Sequence, residues 1–479
     1  MEILDRLRSQ GVAPNSLCVD SRRIERGDVF LAYPGAAADG RRHIADAVAK
    51  GAAAVLCEAG DGATDGMTVP AVAVPHLAAM AGAIAHLVYG RPSEKLGLFG
   101  VTGTNGKTSV SQWIAQALGD LGRPCAVIGT LGNGFPGALL PSPNTTPEAV
   151  TLHRDLARFA AAGAEACAME VSSIALDQGR TNGACIRVGV FTNLTRDHLE
   201  YHRTMEAYAA AKARLFDSPG MVAAVMNLDD ELGRALAQSL RGRLRVIGYT
   251  LEGRQGGDTR LAAEGLTMDD RGLRFSLDGE TVSAPLAGRF NASNVLAVIG
   301  ALLADGIDLR RAAGAVARLA PPPGRMQRVG GDGVPLVVVD YAHTPDALEK
   351  VLAALRETAA ARGGRLVCIF GCGGDRDPGK RPLMGRAAER LADRVVLTSD
   401  NPRNESPTAI IDAIRAGMAS RPDIVEDRAE AIAAAVADAD ACDTILLAGK
   451  GHEPYQEIAG VRHPFSDAAV AAQAVERRR

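Results

Sequence analysis

The stretch Leu96–Ser111, LGLFGVTGTNGKTSVS, decides how the rest of the chain reads. Its opening run, Leu96 to Val101, is apolar and predicts a buried strand. Gly103, Thr104, Asn105 and Gly106 then make a turn. Lys107 and Thr108 open a helical pattern that continues through Ser109, Trp113, Ile114 and Leu118. Strand, glycine turn, helix is the setting in which a Gly-Lys-Thr triplet cradles phosphate. The glycines let backbone N–H groups crowd around phosphate oxygens, and the helix N-terminus adds partial positive charge. The pattern assigns Lys107 to the β- and γ-phosphates of a nucleoside triphosphate and the Thr108 hydroxyl to Mg²⁺. One irregularity stands out: the usual spacing wants a glycine at position 101, which is Val, with Gly100 and Gly103 the nearest.

The totals bound what surrounds this loop. At 479 residues the chain is too long for one core and suggests about three domains. With 47% apolar and 23% charged residues it is an ordinary globular composition. Lys+Arg 53 against Asp+Glu 56, net charge −3, gives no reason to expect nucleic acid or an anionic membrane as partner. The N-terminal MEILDRLRSQ lacks the apolar core of a signal peptide, and the most apolar stretch, Val69 to Tyr89, is interrupted by Pro75, His76 and His86. The eight cysteines are scattered with no C-x-x-C pair, and Cys368 and Cys372 have no second pair to complete a zinc site. Reduced thiols in a cytoplasmic protein are the expectation.

Outward from the loop, strand and helix patterns alternate almost throughout. Residues 1–90 form a small α/β unit, with strands at Asp28 to Ala32 and Ala53 to Cys57 and helices at Ile44 to Lys50 and His76 to Val88. The polar turns Asp20-Ser21-Arg22 and Asp39 to Arg42 read there as solvated loops. Residues 91–322 contain the loop and further strands at Cys125 to Ile128, Ala164 to Val171, Ile186 to Thr192 and Val222 to Met226. Helices fall at Pro147 to Ala162 and Met205 to Phe216. This predicts a largely parallel, doubly wound sheet with its site at the carboxyl ends of the strands. Thr130, Asn144-Thr145-Thr146, Glu170 and Asn193 through His198 fall at those ends. Leu273 to Leu286 reads as an antiparallel hairpin around Asp278-Gly279, followed by a helix from Asn291 to Ala304. Pro321-Pro322-Pro323-Gly324 breaks the chain before a third unit, 323–479. Its strands, Leu336 to Val339, Leu366 to Phe370, Val395 to Thr398 and Thr444 to Ala448, each end in a polar cluster. Those clusters are Asp340 to His343, Gly371 to Arg376, Asp400 to Arg403, and Gly449 to Glu453. Four such clusters at one sheet edge read as a second half-site facing the first.

Thr102-Gly103-Thr104-Asn105-Gly106-Lys107-Thr108, Glu170-Val171-Ser172-Ser173, Asn193-Leu194-Thr195-Arg196-Asp197-His198 and Asp340-Tyr341-Ala342-His343 together resemble the Mur ligases, in order and over essentially the whole chain. The missing glycine at 101 is also a feature of that family. The resemblance implies three α/β domains: one gripping the UDP end of a substrate, a central P-loop-type ATPase and a C-terminal Rossmann-like domain for the incoming amino acid. It implies an ATP-dependent amide ligase of peptidoglycan precursor assembly, working through an acyl phosphate, with ATP and Mg²⁺ required. Asp400-Asn401-Pro402-Arg403, Gly371 to Arg376 and Gly449 to Glu453 resemble the segments of members that add meso-2,6-diaminopimelate to UDP-MurNAc-L-Ala-D-Glu.

Roles then follow residue by residue. Glu170 ends an apolar strand, where an unpartnered carboxylate is costly, and the family uses it as a metal ligand. His198 becomes a second ligand candidate, although Mg²⁺ favours oxygen donors and Mn²⁺ could substitute. Lys212 reads by itself as a solvated helix lysine; the resemblance alone makes it a carbamate beside the metal. Asn291 reads as a helix cap, and the resemblance places it with Asn294 at the adenine, while Asp340 and His343 complete the nucleotide site. For the UDP-muramoyl dipeptide the matching positions are Val19, Ser21, Ala36, Ala37, Ala38, Asn144, Thr145, Thr146, Ser172, Gln178 and Arg180. Arg180 can pair bidentately with an anionic group. The family's usual His after the Ser-Ser pair is Ile174 here. Diaminopimelate carries one carboxylate more than lysine, for which Arg376 and Arg403 are the natural partners. Asp400, Asn401 and Glu453 are assigned to its amino groups, with Pro402 and Gly449 alongside. A monomer acting on small molecules is expected. A lysine-adding Mur ligase and a folylpolyglutamate synthetase-like ligase share this chemistry, whereas a GTPase-like switch would need an N-K-x-D segment that the chain lacks.

Overall fold

The computed structural model describes residues 2–35, 38–269, 272–331 and 333–478. Three parallel-rich sheets lie along the chain. The first has four parallel strands in the order Leu17–Cys18, Val29–Ala32, Ala54–Glu58, Ala71–Val74. Its two outer strands have no separate signal in the sequence: Leu17–Cys18 is only two residues long, and Ala71–Val74 merges into the apolar run that continues as the helix Leu77–Val88.

The central sheet has nine strands. In spatial order they are Thr259–Ala262, Arg245–Thr250, Ala223–Asn227, Val188–Phe191, Gly97–Thr102, Ala166–Glu170, Cys125–Gly129, Gly132–Phe135 and Ala138–Leu140. All are parallel except the last two, which fold back as antiparallel ribbons. The P-loop strand Gly97–Thr102 is central, paired in register with Val188–Phe191 on one side and Ala166–Glu170 on the other. Strands buried on both faces read as continuous apolar runs, which is why these were legible. One face is covered by Lys107–Asp120 and Arg289–Ala304, the other by Ala149–Ala161 and Glu231–Ser239. Glu264–Asp269, Gly272–Leu277 and Glu280–Ala284 form a separate antiparallel sheet. Asp278 and Gly279 both take positive φ in its tight turn, as a hairpin of that sequence requires.

The third sheet runs Gln327–Gly330, Leu336–Asp340, Thr444–Ala448, Leu366–Phe370, Arg394–Leu397, Asp423–Ile424, parallel except for its first strand. A two-stranded hairpin, Tyr455–Ile458 with Val461–Pro464, stands beside it. Among the described residues no helix is long and apolar enough to cross a membrane.

The first unit is seated firmly on the second around Asn182. A Cβ on Gly82, in the helix Leu77–Val88, would lie 1.9 Å from the Asn182 carbonyl oxygen, so the helix approaches as only glycine allows. Asn182 Nδ2 donates to Ala79 O at 3.1 Å, and the Asn182 carbonyl lies 3.1 Å from His153 Nε2. His153 is fully buried, its Nδ1 has no hydrogen-bond partner among the described residues, and its ring meets that of His86 edge-on. Burial holds this imidazole down to about 4. Between about pH 6.5 and 4 the unfolded chain takes up a proton at His153 that the folded chain refuses. Stability should therefore fall as pH drops through that window, by about 3 kcal/mol in all. In urea titrations at pH 7 and at about pH 4.5, His153→Phe is expected to show a much smaller acid loss than the parent chain; equal losses would rule the imidazole out.

Candidate active site

The P-loop is shaped by two glycines. Gly103 and Gly106 have φ of 146° and 87°, and a Cβ on them would lie 1.9 Å from Thr192 Oγ1 and 2.6 Å from Asn294 Oδ1. Gly106 caps the helix Lys107–Asp120 without a side-chain hydrogen bond, so the first N–H groups are left for an anion. Lys107 Nζ folds back onto the carbonyls of Gly103 and Thr104, both at 2.9 Å. Burial pulls its ammonium below the ordinary lysine range, opposed by the charges of Glu170 and Asp197. Asn105 accepts Thr192 Oγ1 on its carbonyl at 2.6 Å, and its Nδ2 reaches Asp346 Oδ2 in the third unit at 3.0 Å.

Glu170, at the end of its strand, is 1% exposed. It accepts from Thr108 Oγ1 at 3.0 Å, from the Thr130 N–H at 2.8 Å and from Thr130 Oγ1 at 3.2 Å. Thr130 Oγ1 is also 3.1 Å from Thr145 Oγ1. A buried carboxylate ringed by hydroxyls is a hard-oxygen donor set, and it fits a divalent cation of the Mg²⁺ type. Arg325, which no motif singled out, donates to Thr108 Oγ1 at 2.9 Å and stacks on the Tyr341 ring at 4.5 Å.

Lys212 is not a solvated helix lysine. It is buried, donates to Gly103 O at 2.8 Å and lies 4.3 Å from the centroid of the Tyr208 ring. Burial, reinforced by the charge of Lys107, holds its amine well below the ordinary lysine range. His198 sits at φ 54° and faces two carboxylates, Asp197 Oδ2 at 3.4 Å and Glu200 Oε1 at 3.6 Å. Asp197 also meets His343 Nε2 at 3.6 Å and Lys380 Nζ at 3.8 Å. Burial alone would raise the Asp197 carboxyl, but His343, His198 and Lys380 together hold it well below the usual range. With Arg196 bonded to Asp377 at 2.9 and 3.2 Å, this cluster brings the third unit against the second.

Asn291 is not a helix cap. The helix starts at Arg289 with Gly288 as its cap, and Asn291 Nδ2 donates back to Ala287 O at 2.8 Å. Asn294 donates to Asn291 Oδ1 at 3.2 Å, which places that amide pair against Gly106. Burial pushes the Asp340 carboxyl up; it accepts from the Met326 N–H at 2.8 Å.

One cavity of about 1090 Å³ joins the P-loop, Glu170, Asp197, His198, Asn291, Asn294, Asp340 and His343, while Lys212 does not line it. Of the residues assigned to the UDP-muramoyl dipeptide, Asn144, Thr145, Ser172 and Arg180 line it, as does Ile174. Thr146 lies behind, its hydroxyl on the Glu170 carbonyl at 2.8 Å and its own carbonyl on Arg180 at 3.0 Å. Gln178 holds Arg180 at 2.6 and 2.9 Å. Val19, Ser21 and Ala38 belong to the first unit and do not line this cavity; Ala36 and Ala37 lie outside the described residues.

At the other end the cavity is lined by Arg376, Asp400, Asn401, Arg403, Gly449 and Glu453. Arg403 has φ 52°, and its backbone pairs with the hairpin: its N–H donates to Glu457 O at 3.0 Å and its carbonyl accepts from the Ala459 N–H at 2.7 Å. Arg403 Nη1 donates to Gly374 O at 2.8 Å. The Pro402 carbonyl packs against Gly374, so this proline shapes the turn and is not on the cavity wall. Asn401 turns its side chain inward, to Glu453 and to Lys450. The polar cluster Gly449 to Glu453 was the only sequence signal for Lys450, and Arg325 had none.

Three family models match the chain. They are the Mur ligase family catalytic domain at residues 15–89, the Mur ligase middle domain at 101–302 and the Mur ligase glutamate ligase domain at 324–451. The chain is 54% identical over 473 residues to a UDP-N-acetylmuramoyl-L-alanyl-D-glutamate–2,6-diaminopimelate ligase of Ectopseudomonas mendocina, covering 97% of this chain and 96% of that one. It is 53% identical to the protein of the same name from Pseudomonas aeruginosa, over 96% and 94% of the two chains. A solved structure of a ligase of that name superposes with a TM-score of 0.69 at 38% identity, covering 97% and 95%. Mycobacterium tuberculosis folylpolyglutamate synthase complexed with ADP superposes with a TM-score of 0.63 over 78% of this chain and 91% of its own, at 21% identity, a likeness of fold.

Proposed function

The chain belongs to the Mur ligase family, and from that premise we propose that it joins meso-2,6-diaminopimelate to UDP-MurNAc-L-Ala-D-Glu at the expense of ATP. The observation that carries the reading is that one continuous cavity spans both half-sites. Its one end holds the P-loop and Glu170, and its other end holds Asp400, Arg403 and Glu453. A γ-phosphoryl, a carboxylate and an amine can meet between them.

In this reading the Gly103–Ser109 loop and Lys107 bind the triphosphate, with Asn291, Asn294, Asp340 and His343 around the rest of the nucleotide. Thr108 and Glu170 would hold Mg²⁺, with His198 and carbamylated Lys212 as further candidates. When bound, the ion supplies charge neutralisation at the phosphates. Burial disfavours the charged form of Lys212 and so favours the neutral amine, the form that adds to carbon dioxide. The D-glutamate carboxylate, held by Ser172, Arg180, Asn144 and Thr145, takes the γ-phosphoryl as its bond to the β-phosphate oxygen breaks, and ADP is released. The amine of diaminopimelate then attacks the carbonyl carbon; the C–N bond forms, the C–O bond to phosphate breaks, and phosphate leaves. Arg376 and Arg403 pair with the distal carboxylate, a partner that lysine lacks.

The test is phosphate release and product formation from ATP and UDP-MurNAc-L-Ala-D-Glu, offered meso-diaminopimelate and lysine side by side. Ligation with diaminopimelate and little with lysine is expected. Equal use of lysine, or turnover only with a folate and glutamate, would replace this substrate assignment with one of its relatives.

A further inference from the structure

Lys450 follows the strand Thr444–Ala448 in the loop between the third sheet and the hairpin, and its side chain is 0% exposed. Its Nζ donates to Asn401 Oδ1 at 2.9 Å and to Glu453 Oε2 at 3.1 Å, and lies 3.8 Å from Asp400 Oδ1. Asn401 closes the triangle by donating Nδ2 to the same Glu453 Oε2 at 2.7 Å. Its Oδ1 also accepts from the Glu457 N–H at 2.9 Å, which ties the hairpin to the network. Three residues of the proposed amino-acid site thus converge on one buried ammonium.

We infer that Lys450 is the positioning residue that presets Asp400, Asn401 and Glu453 for the ammonium group of the incoming amino acid. The inference rests on the placement of diaminopimelate proposed above. The hydrogen bonds saturate Glu453 Oε2 and leave Oε1 without a protein donor among the described residues. One cation between two carboxylates leaves the cluster one negative charge, the complement of a single ammonium. Arg403 and Arg376 provide the positive charge for the adjoining carboxylate. Without Lys450, Asp400 and Glu453 would repel each other and Asn401 would lose a donor, so the ligand would have to assemble the cluster itself. Stability alone does not call for such a residue, because a buried ion pair gains little over well-packed apolar groups.

The experiment is steady-state kinetics on the full-length enzyme with Lys450→Met, Lys450→Gln and Lys450→Arg, measuring KM for all three substrates together with Tm. Met and Gln are expected to raise KM for meso-diaminopimelate about 30-fold, the equivalent of one lost charged hydrogen bond. KM for ATP and for UDP-MurNAc-L-Ala-D-Glu should stay within about threefold, and Arg should recover part of the loss. Gln carries the test if Met does not fold, since it fills the space and keeps a donor. Parallel rises in all three KM values, or a lower Tm with an unchanged KM for diaminopimelate, would overturn the inference. Failure of the parent enzyme to use diaminopimelate would instead overturn the substrate assignment.

Discussion

Replacing Lys107 by Ala is expected to lower the rate of ligation on the order of 10³-fold while leaving the protein folded. Its ammonium donates to the loop carbonyls of Gly103 and Thr104, at 2.9 Å each, at the N-terminus of the helix that faces the phosphates in this reading. Negative charge spreads over the transferred phosphoryl in the transition state, and removing one preorganised donor in a buried site typically costs 10²–10³ in rate. Ala is the best helix former and position 107 is the first of its helix, so Tm should change little. Phosphate release under saturating substrates measures the effect. A variant that kept a tenth or more of the parent kcat would remove Lys107 from the phosphoryl-transfer machinery.

Replacing Arg403 by Ala is expected to abolish the choice between diaminopimelate and lysine. A site built to pair a charged group discriminates against a ligand lacking it by on the order of 10⁴, because its own charge is left unpaired. Arg403 Nη1 is taken by Gly374 O at 2.8 Å, and the guanidinium keeps its remaining donors for the ligand in the cavity it lines. The hairpin is held by the backbone of residue 403, so Ala preserves that pairing. The kcat/KM for diaminopimelate should fall by about 10⁴, with that for lysine nearly constant. Unchanged kinetics with diaminopimelate would reassign the distal carboxylate to Arg376 or Arg462, which also line the cavity.

Much of the architecture was legible because buried parallel strands are apolar runs and their helices carry caps. The strands Leu366–Phe370 and Thr444–Ala448 have the bounds read from the sequence. The short ribbons Gly132–Phe135 and Ala138–Leu140 and the hairpin Tyr455–Pro464 are not legible in the sequence, since antiparallel strands of three or four residues are too short to show an apolar run or an alternation. Among the site residues, Asn291 was misread as a cap because Gly288 could not be weighed against it without the helix geometry.

The spacing of Gly103, Gly106, Lys107 and Thr108 determined by itself the glycine turn and helix start of a phosphate-loop pattern, because both are local. The polar clusters at the strand ends were likewise determined by chain order, since parallel strands deliver their carboxyl ends to one edge. Only the tertiary structure decided that Arg325 meets Thr108 across 217 residues, that Lys212 is buried against the loop, and that Lys450 holds Asn401 across 49 residues. Those contacts join segments far apart in the chain, and whether a lysine is solvated or sealed between two carboxylates depends on how the sheets and domains pack, which no local pattern encodes.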